Sequence, residues 1–399
     1  MGMPERQFLL TLFFSPYKKG NLLFTKGEVC MNQFEQWARE LIGLNDADLK
    51  SWAAQEPARS ESDFFHFLAS SVEVLLFANA RSNSHGKELL HKLYQLAKIS
   101  NHAKTLGTVD FLAGKIALIE GDYAQAKRSY LTAQEHYETA EFAQGVADCF
   151  KKIGDLEKIT GNNKEAVNKY HQAIARYHQL NYPRGIANCF KALGSVAHDD
   201  QRYQEADTFY RKAIKLFEAL QDWQGFANCL SSLGDIAYDK KELVKAASYF
   251  EQALAFYEKI RDPLGQTNTI YSLGEIAAAL KQPDQAREYF AKARAEYEAV
   301  HNTVGLANSI YSLGNLDKMT QQYQPARSNF FQAKEIYDGI HDQRGVANCL
   351  LQLGDIDRLL GLYRDAQQNF HLARQKYESI HDGPGVAECL KYLASMAAS

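Results

Sequence analysis

Gly345-Val346-Ala347-Asn348-Cys349-Leu350-Leu351-Gln352-Leu353-Gly354-Asp355-Ile356 is one copy of a phrase that recurs along the chain. Earlier stands Gly305-Leu306-Ala307-Asn308-Ser309-Ile310-Tyr311-Ser312-Leu313-Gly314-Asn315-Leu316, and further copies start at Gly265, Gly225, Gly185 and Gly145, with a last at Gly385. From Gly145 to Gly385 the spacing holds without an insertion or deletion. A fixed period of roughly 20–50 residues marks a solenoid, in which each unit buries its face on its neighbours and the core grows lengthwise.

The composition fits this reading. Hydrophobic residues make up 46% of the 399 and charged residues 23%, the balance of a soluble folded chain. Only 8 prolines, with Ala, Glu, Lys, Gln and Leu common, favour helix throughout. A formal charge of −3 forces no basic surface and argues against nucleic acid as a partner. No apolar run reaches the ~18 residues of a membrane span, so no membrane partner is expected. The run Phe8 to Phe14 has only Arg6 ahead of it and lacks a small-residue cleavage site, unlike a signal peptide.

Five of the 6 cysteines, Cys149, Cys189, Cys229, Cys349 and Cys389, share one repeat position, which Thr269 and Ser309 fill in other copies. Cys30 stands apart. Equivalent atoms of stacked helical units lie ~10 Å apart, beyond the ~7 Å Cα separation a disulfide tolerates. The row therefore reads as small buried packing residues rather than disulfides or metal ligands, and reduced thiols suit the cytoplasm.

Each regular unit reads as two helices. Helix A opens at a capping residue, Asp222, Asp262, Asn302, Asp342 or Asp382, whose short side chain accepts from a first-turn N–H. Pro183 and Pro263 stand at first helical positions, where a missing N–H costs little. Gly121, Gly161 and Gly361 close three A helices. Helix B carries Ala126, Tyr130, Ala133 and Tyr137, repeated through Ala366, Phe370, Ala373 and Tyr377, an apolar stripe alternating small and large residues. A glycine in mid-helix costs ~1 kcal/mol of propensity. Its persistence at Gly154, Gly194, Gly234, Gly274, Gly314 and Gly354 predicts a close crossing by helix B.

Residues 1–64 lie outside the repeat. Met31 to Ile42 reads as an amphipathic helix, and Asp46 can cap a second through Gln55. Lys26-Gly27-Glu28 can be encoded by a purine-rich run resembling a ribosome-binding site, so Met31 is expected as the natural start. The alternative is a hairpin around Ser15 to Gly20. Residues 65–104 read as a degenerate capping repeat, with Leu90, Leu93 and Ala97 where later units have Tyr130, Ala133 and Tyr137. The array then runs over 105–386, and 387–399 form a closing helix.

Leu-Gly in helix A followed by Ala-x-x-x-Tyr/Phe-x-x-Ala in helix B resembles the tetratricopeptide repeat, strongly over 105–399 and weakly over 65–104. The phrase is similar to the 40-residue variant of Pins/LGN-type polarity adaptors and of bacterial signalling arrays. The resemblance implies an all-α, right-handed superhelix (an α-α solenoid) of antiparallel helix pairs, with helix A lining the concave face. Its carboxylate clamp for acidic C-terminal tails is not matched here, because the position for its last Lys holds Asn or an acid.

No HExxH, GxGxxG, P-loop or CxxC pattern is present, so neither catalytic residues nor a cofactor or metal site is called for. His301, His341 and His381 recur after helix B and read as solvated turn residues rather than a metal chain. The functional signal is a row of amides, Asn188, Asn228, Asn268, Asn308 and Asn348, with Asp148 and Glu388 at its ends. Tyr271 and Tyr311 follow three residues on, and Asp235, Glu275 and Asp355 seven on, which keeps them on one helix face. An amide both donates and accepts, so the row can pair with the main chain of an extended peptide. In the bland alternative each Asn bonds backbone of the neighbouring unit and sets the stacking. The expected function is a scaffold binding an extended segment of another protein or peptide in the groove. The alternative is a sensor module for a small signal, a peptide or a sugar. Oligomeric state is not legible.

Overall fold

The computed structural model describes residues 83–100 and 102–397, together with Leu44, Asp48, Leu49 and Ser51. Apart from those four, everything expected of residues 1–82 lies outside the described residues, including the Met31 start and the helices at 31–42 and 46–55. From Asn83 on, the described residues form sixteen helices and no strand. They are α1 (Asn83–Ser100), α2 (Ala103–Ile119), α3 (Tyr123–Thr139), α4 (Ala143–Ile159), α5 (Asn163–Gln179) and α6 (Pro183–Asp199). Then follow α7 (Tyr203–Ala219), α8 (Trp223–Asp239), α9 (Leu243–Ile260), α10 (Pro263–Ala279), α11 (Pro283–Ala299) and α12 (Thr303–Met319). The last four are α13 (Tyr323–Gly339), α14 (Gln343–Leu359), α15 (Tyr363–Ser379) and α16 (Gly383–Ala397). The even-numbered helices are the A helices, with the amide of the repeated phrase on α6, α8, α10, α12 and α14, and the odd-numbered ones are the B helices. The chain divides into two compact units, one through Gln201 holding α1–α6 and one from Arg202 holding α7–α16.

Polar side chains start the A helices as their chemistry requires. Oδ1 of Asp222, Asn302, Asp342 and Asp382 accepts from the N–H of Gly225, Gly305, Gly345 and Gly385 at 2.9–3.0 Å. Asp262 departs from the expected series. Its side chain makes no cap bond and instead accepts from Gln224 Nε2 at 2.9 Å, leaving Pro263 to pre-set the first turn. At the helix ends the chain reverses through one left-handed residue. Gly121, Gly161 and Gly361 take φ of 78°, 82° and 76°. At His301, His341 and His381 the same turn is made by exposed histidines at φ 55°, 60° and 56°. Two bonds close each such turn, as in His341 N–H to Asp338 O and Asp342 N–H to Tyr337 O, at 3.0 and 2.9 Å.

Within each unit successive helices pack in chain order. Gly314 of α12 faces Phe330 of α13, while Asn308 of α12 meets Tyr337. Moving backward along one helix thus moves forward along the other, and the pair is antiparallel. The B helices α9, α11, α13 and α15 are each gripped by two glycines. A Cβ on Gly314 would stand 2.8 Å from the Phe330 ring, and one on Gly345 of the following A helix 2.5 Å from Tyr337. The close crossing expected at the Leu-Gly pair is therefore an aromatic ring lying against bare backbone. Phe330 is completely buried, worth ~1.5–3 kcal/mol by area.

The A helices also meet one another, α2 with α4 and α4 with α6 in the first unit, α8 with α10 and α10 with α12 in the second. The five cysteines of the repeat row are buried and in no disulfide. Burial pushes the Cys349 thiol up to about 12, so it stays neutral and packs as a small apolar side chain. In α16 Leu390 remains 46% exposed while Tyr392 stacks flat on Phe370 at 4.8 Å.

Candidate functional site

The amide row has partners on the B helices. In the second unit the hydroxyls of Tyr257, Tyr297, Tyr337 and Tyr377 donate to Oδ1 of Asn228, Asn268, Asn308 and Asn348, each at 2.6 Å. In the first unit Tyr177 donates to Asp148 at 2.5 Å. An ionised carboxylate can only accept, so the phenol is the donor in this register. Each pair joins residues 29 apart. Counted so from Asn188, the chain holds Phe217, which has no hydroxyl to give. Glu388, at the far end, is exposed.

The cause is the burial of the phenols. A phenol hydroxyl with no acceptor costs ~1–3 kcal/mol, and burial pushes Tyr297 up to about 12, keeping it protonated and donating. The amide is thus bonded to a side chain of its own helix pair, and backbone of the neighbouring unit is not its partner. Nor is the amide wholly free for a ligand, since its carbonyl is half used. The Nδ2 hydrogens of Asn228, Asn268, Asn308 and Asn348 have no hydrogen-bond partner among the described residues. Asn268 is exposed and the other three are half-buried, so solvent reaches the row.

The remaining candidates divide. Tyr271 is half-buried and its hydroxyl lies 2.9 Å from Ser312 Oγ on the next A helix, while Ser312 donates to Glu275 Oε1 at 2.9 Å. Burial raises the Glu275 carboxyl above its ordinary value, with the Ser312 and Tyr271 bonds opposing in part. Burial alone would raise Asp355 too, but hydrogen bonds from Lys318 and Arg358, with their charges, hold it below the ordinary range. Both contacts are 2.6 Å. Tyr311 packs its ring 5.4 Å from Phe330, and burial pushes its hydroxyl up to about 12. Asp235 is exposed. Glu275 and Asp355 therefore link successive A helices, α10 to α12 and α12 to α14, while Asp235 and the amides face solvent.

The tyrosines that orient the amides were not among the candidates, because in the sequence they read only as the last position of a packing stripe. The recurring 29-residue offset between Asn and Tyr was the available signal. Among the described residues no group of three His, Cys, Asp or Glu side chains could hold a metal ion. No helix among them is long and apolar enough to cross a membrane.

These features define a helical-repeat solenoid, a fold that presents one face of stacked helices to a binding partner. The tetratricopeptide-repeat family model matches residues 186–259 and 266–339, and the described helix pairs have the tetratricopeptide-repeat fold. No curated protein matches it. Solved structures of the same fold include aspartyl phosphate phosphatase F from Bacillus subtilis, 16% identical over 91% of this chain and 97% of that one, TM-score 0.60. The quorum sensor NprR from B. thuringiensis, in its apo form, is 15% identical over 88% and 99%, TM-score 0.61. The Rap conjugation gene regulator of plasmid pLS20, solved with a Phr peptide, is 15% identical over 84% and 95%, TM-score 0.56.

Proposed function

We infer that this chain is a non-catalytic cytoplasmic adaptor that holds an extended peptide segment of a partner protein on the A-helix face of its second unit. The observation that carries this is the set of four tyrosine-held amides, Asn228, Asn268, Asn308 and Asn348, with unused Nδ2 donors. A fixed amide has lost its freedom to rotate before a ligand arrives, so binding costs less ordering. Neighbouring A helices stand roughly 10 Å apart, and an extended chain rises ~3.3 Å per residue. The row can thus donate to about every third main-chain carbonyl without reading side chains. Tyr271 and Tyr311 would add apolar contact, and Asp235 a site for a basic residue. The likeness in fold to a regulator solved with a Phr peptide supports the reading, and the buried thiols, held in no disulfide, suit a reducing compartment.

A photocrosslinking residue at Ser272, one turn beyond Asn268 on α10, tests this in source lysate against the same residue at Glu251, exposed on α9. Adducts to a partner protein are expected from position 272 and not from 251. Adducts from 251 alone would sink the proposal. Adducts of position 272 with a short peptide only would favour the sensor reading.

A further inference from the structure

Away from the amide row, three places in the stack share one polar wedge. Arg287 of α11 reaches the buried Asp317 of α12 at 2.7 Å, and Asn329 of α13 donates to the same carboxylate at 2.8 Å. Arg327, Asp357 and Asn369 repeat this at 2.6 and 2.8 Å. In the first unit Lys127 meets Glu157 at 2.5 Å in the same register, while the amide comes from Asn162 in the turn before α5, at 2.9 Å. In the register of α7, α8 and α9 the sequence places Asp207, Ala237 and Tyr249 instead. The acid is missing from the floor and the long cation from the wall. A pocket of about 170 Å3 opens there, comparable to the ~150 Å3 apolar cavities that take up benzene.

Its chemistry is specific. Leu233, Ile236 and Ala237 make an apolar floor, and Tyr203 and Tyr249 stand among its walls. Charges gather at the mouth. Both Asp207 oxygens are taken by Arg211, at 2.7 and 3.0 Å. Glu242 gives one oxygen to Lys240 and the other to Lys245, at 2.5 and 3.0 Å. Each ammonium has three hydrogens and spends one on Glu242. Arg211, outside the lining, thus occupies Asp207, while Lys240 and Lys245 of the lining share Glu242 and each keep two ammonium hydrogens for a ligand.

We propose that this pocket is a second binding site, taking a flat apolar body that carries a carboxylate: an aromatic acid. The ring lies on the Leu233–Ile236–Ala237 floor and the carboxylate meets Lys240 and Lys245. The same chemistry can come from a small metabolite or from an aromatic side chain beside an acidic residue in a peptide.

Phenylacetate titrated into the full chain, read by the methyl NMR signals of Leu233 and Ile236, tests this. Saturable shifts are expected, with benzylamine at least 10-fold weaker. Lys240→Gln with Lys245→Gln should weaken phenylacetate at least 10-fold and leave benzyl alcohol unchanged. Asp207→Arg with Ala237→Asp recreates the Arg287–Asp317 pairing in the pocket and should abolish the shifts with the melting temperature kept. If that variant does not fold, the lysine pair decides. Tighter binding of N-acetyl-Phe-Glu-amide than of phenylacetate assigns the site to a protein segment, and the reverse to a metabolite. The proposal is overturned by absence of saturable shifts with either probe. It is equally overturned by benzylamine binding as well as phenylacetate, or by shifts that persist in the folded Asp207→Arg/Ala237→Asp protein.

Discussion

Changing Asn228, Asn268 and Asn308 together to Ala removes the acceptors of Tyr257, Tyr297 and Tyr337. Those tyrosines are 4%, 4% and 6% exposed. An orphaned buried donor costs ~1–3 kcal/mol, and the low end applies because water can follow a shortened side chain at a solvent-facing position. Ala is the better helix former by roughly 0.5 kcal/mol per site. Sites a full helix pair apart add. The sum is a net loss of about 1.5 kcal/mol, from ~3 kcal/mol of orphaned hydroxyls less ~1.5 kcal/mol of propensity. Urea unfolding measures it, and a cycle of Asn308→Ala, Tyr337→Phe and the double variant isolates the bond, with coupling of ~1 kcal/mol expected. A triple variant with the wild-type urea midpoint, together with zero coupling in the cycle, would refute the tyrosine-held amide.

Gly274→Leu should cost roughly 1–3 kcal/mol by overpacking, because even a Cβ there stands 2.7 Å from Phe290. Hydrogen exchange should show the damage centred on about 230–310, since coupling in a stack is between neighbours; uniform loss across the second unit would contradict that. His341→Gly relieves a left-handed backbone at φ 60° and should raise stability by a few tenths to about 1 kcal/mol in a thermal melt. A lowered melting point would count against it. Glu275 has a raised folded value, so its contribution is complete below its unfolded value and is lost as pH rises through the folded one. Glu275→Gln should therefore gain stability relative to wild type more at pH 7 than at pH 4. Asp355 has the opposite sign, its contribution being lost only as pH falls through its lowered folded value.

The fold was legible because the repeat states it many times. The Ala-Tyr stripe, the glycines and four of the five proposed caps each follow from side-chain chemistry within one turn of helix. Asp262 escaped because its carboxylate is drawn to Gln224, a contact between helices that no local rule predicts. The site was legible in part. The period of 40 placed the amides in one row, but their bonds to Tyr257, Tyr297, Tyr337 and Tyr377 depend on antiparallel register, visible only as a 29-residue offset. The fate of Glu275 and Asp355, bound to Ser312 and to Lys318 with Arg358, depends on how successive A helices approach. The pocket over Ala237 is a difference between repeats, which a search for their likeness passes over.

The central claim is that an extended partner segment accepts hydrogen bonds at its main-chain carbonyls from the amide row. It is tested most directly by the affinity of the captured partner for wild type and for Asn228→Ala/Asn268→Ala/Asn308→Ala, at a temperature where both are folded by circular dichroism. Three lost hydrogen bonds at ~0.5–1.5 kcal/mol each should weaken binding by about 10-fold to 1,000-fold. Equal affinity of the two folded proteins would contradict the account.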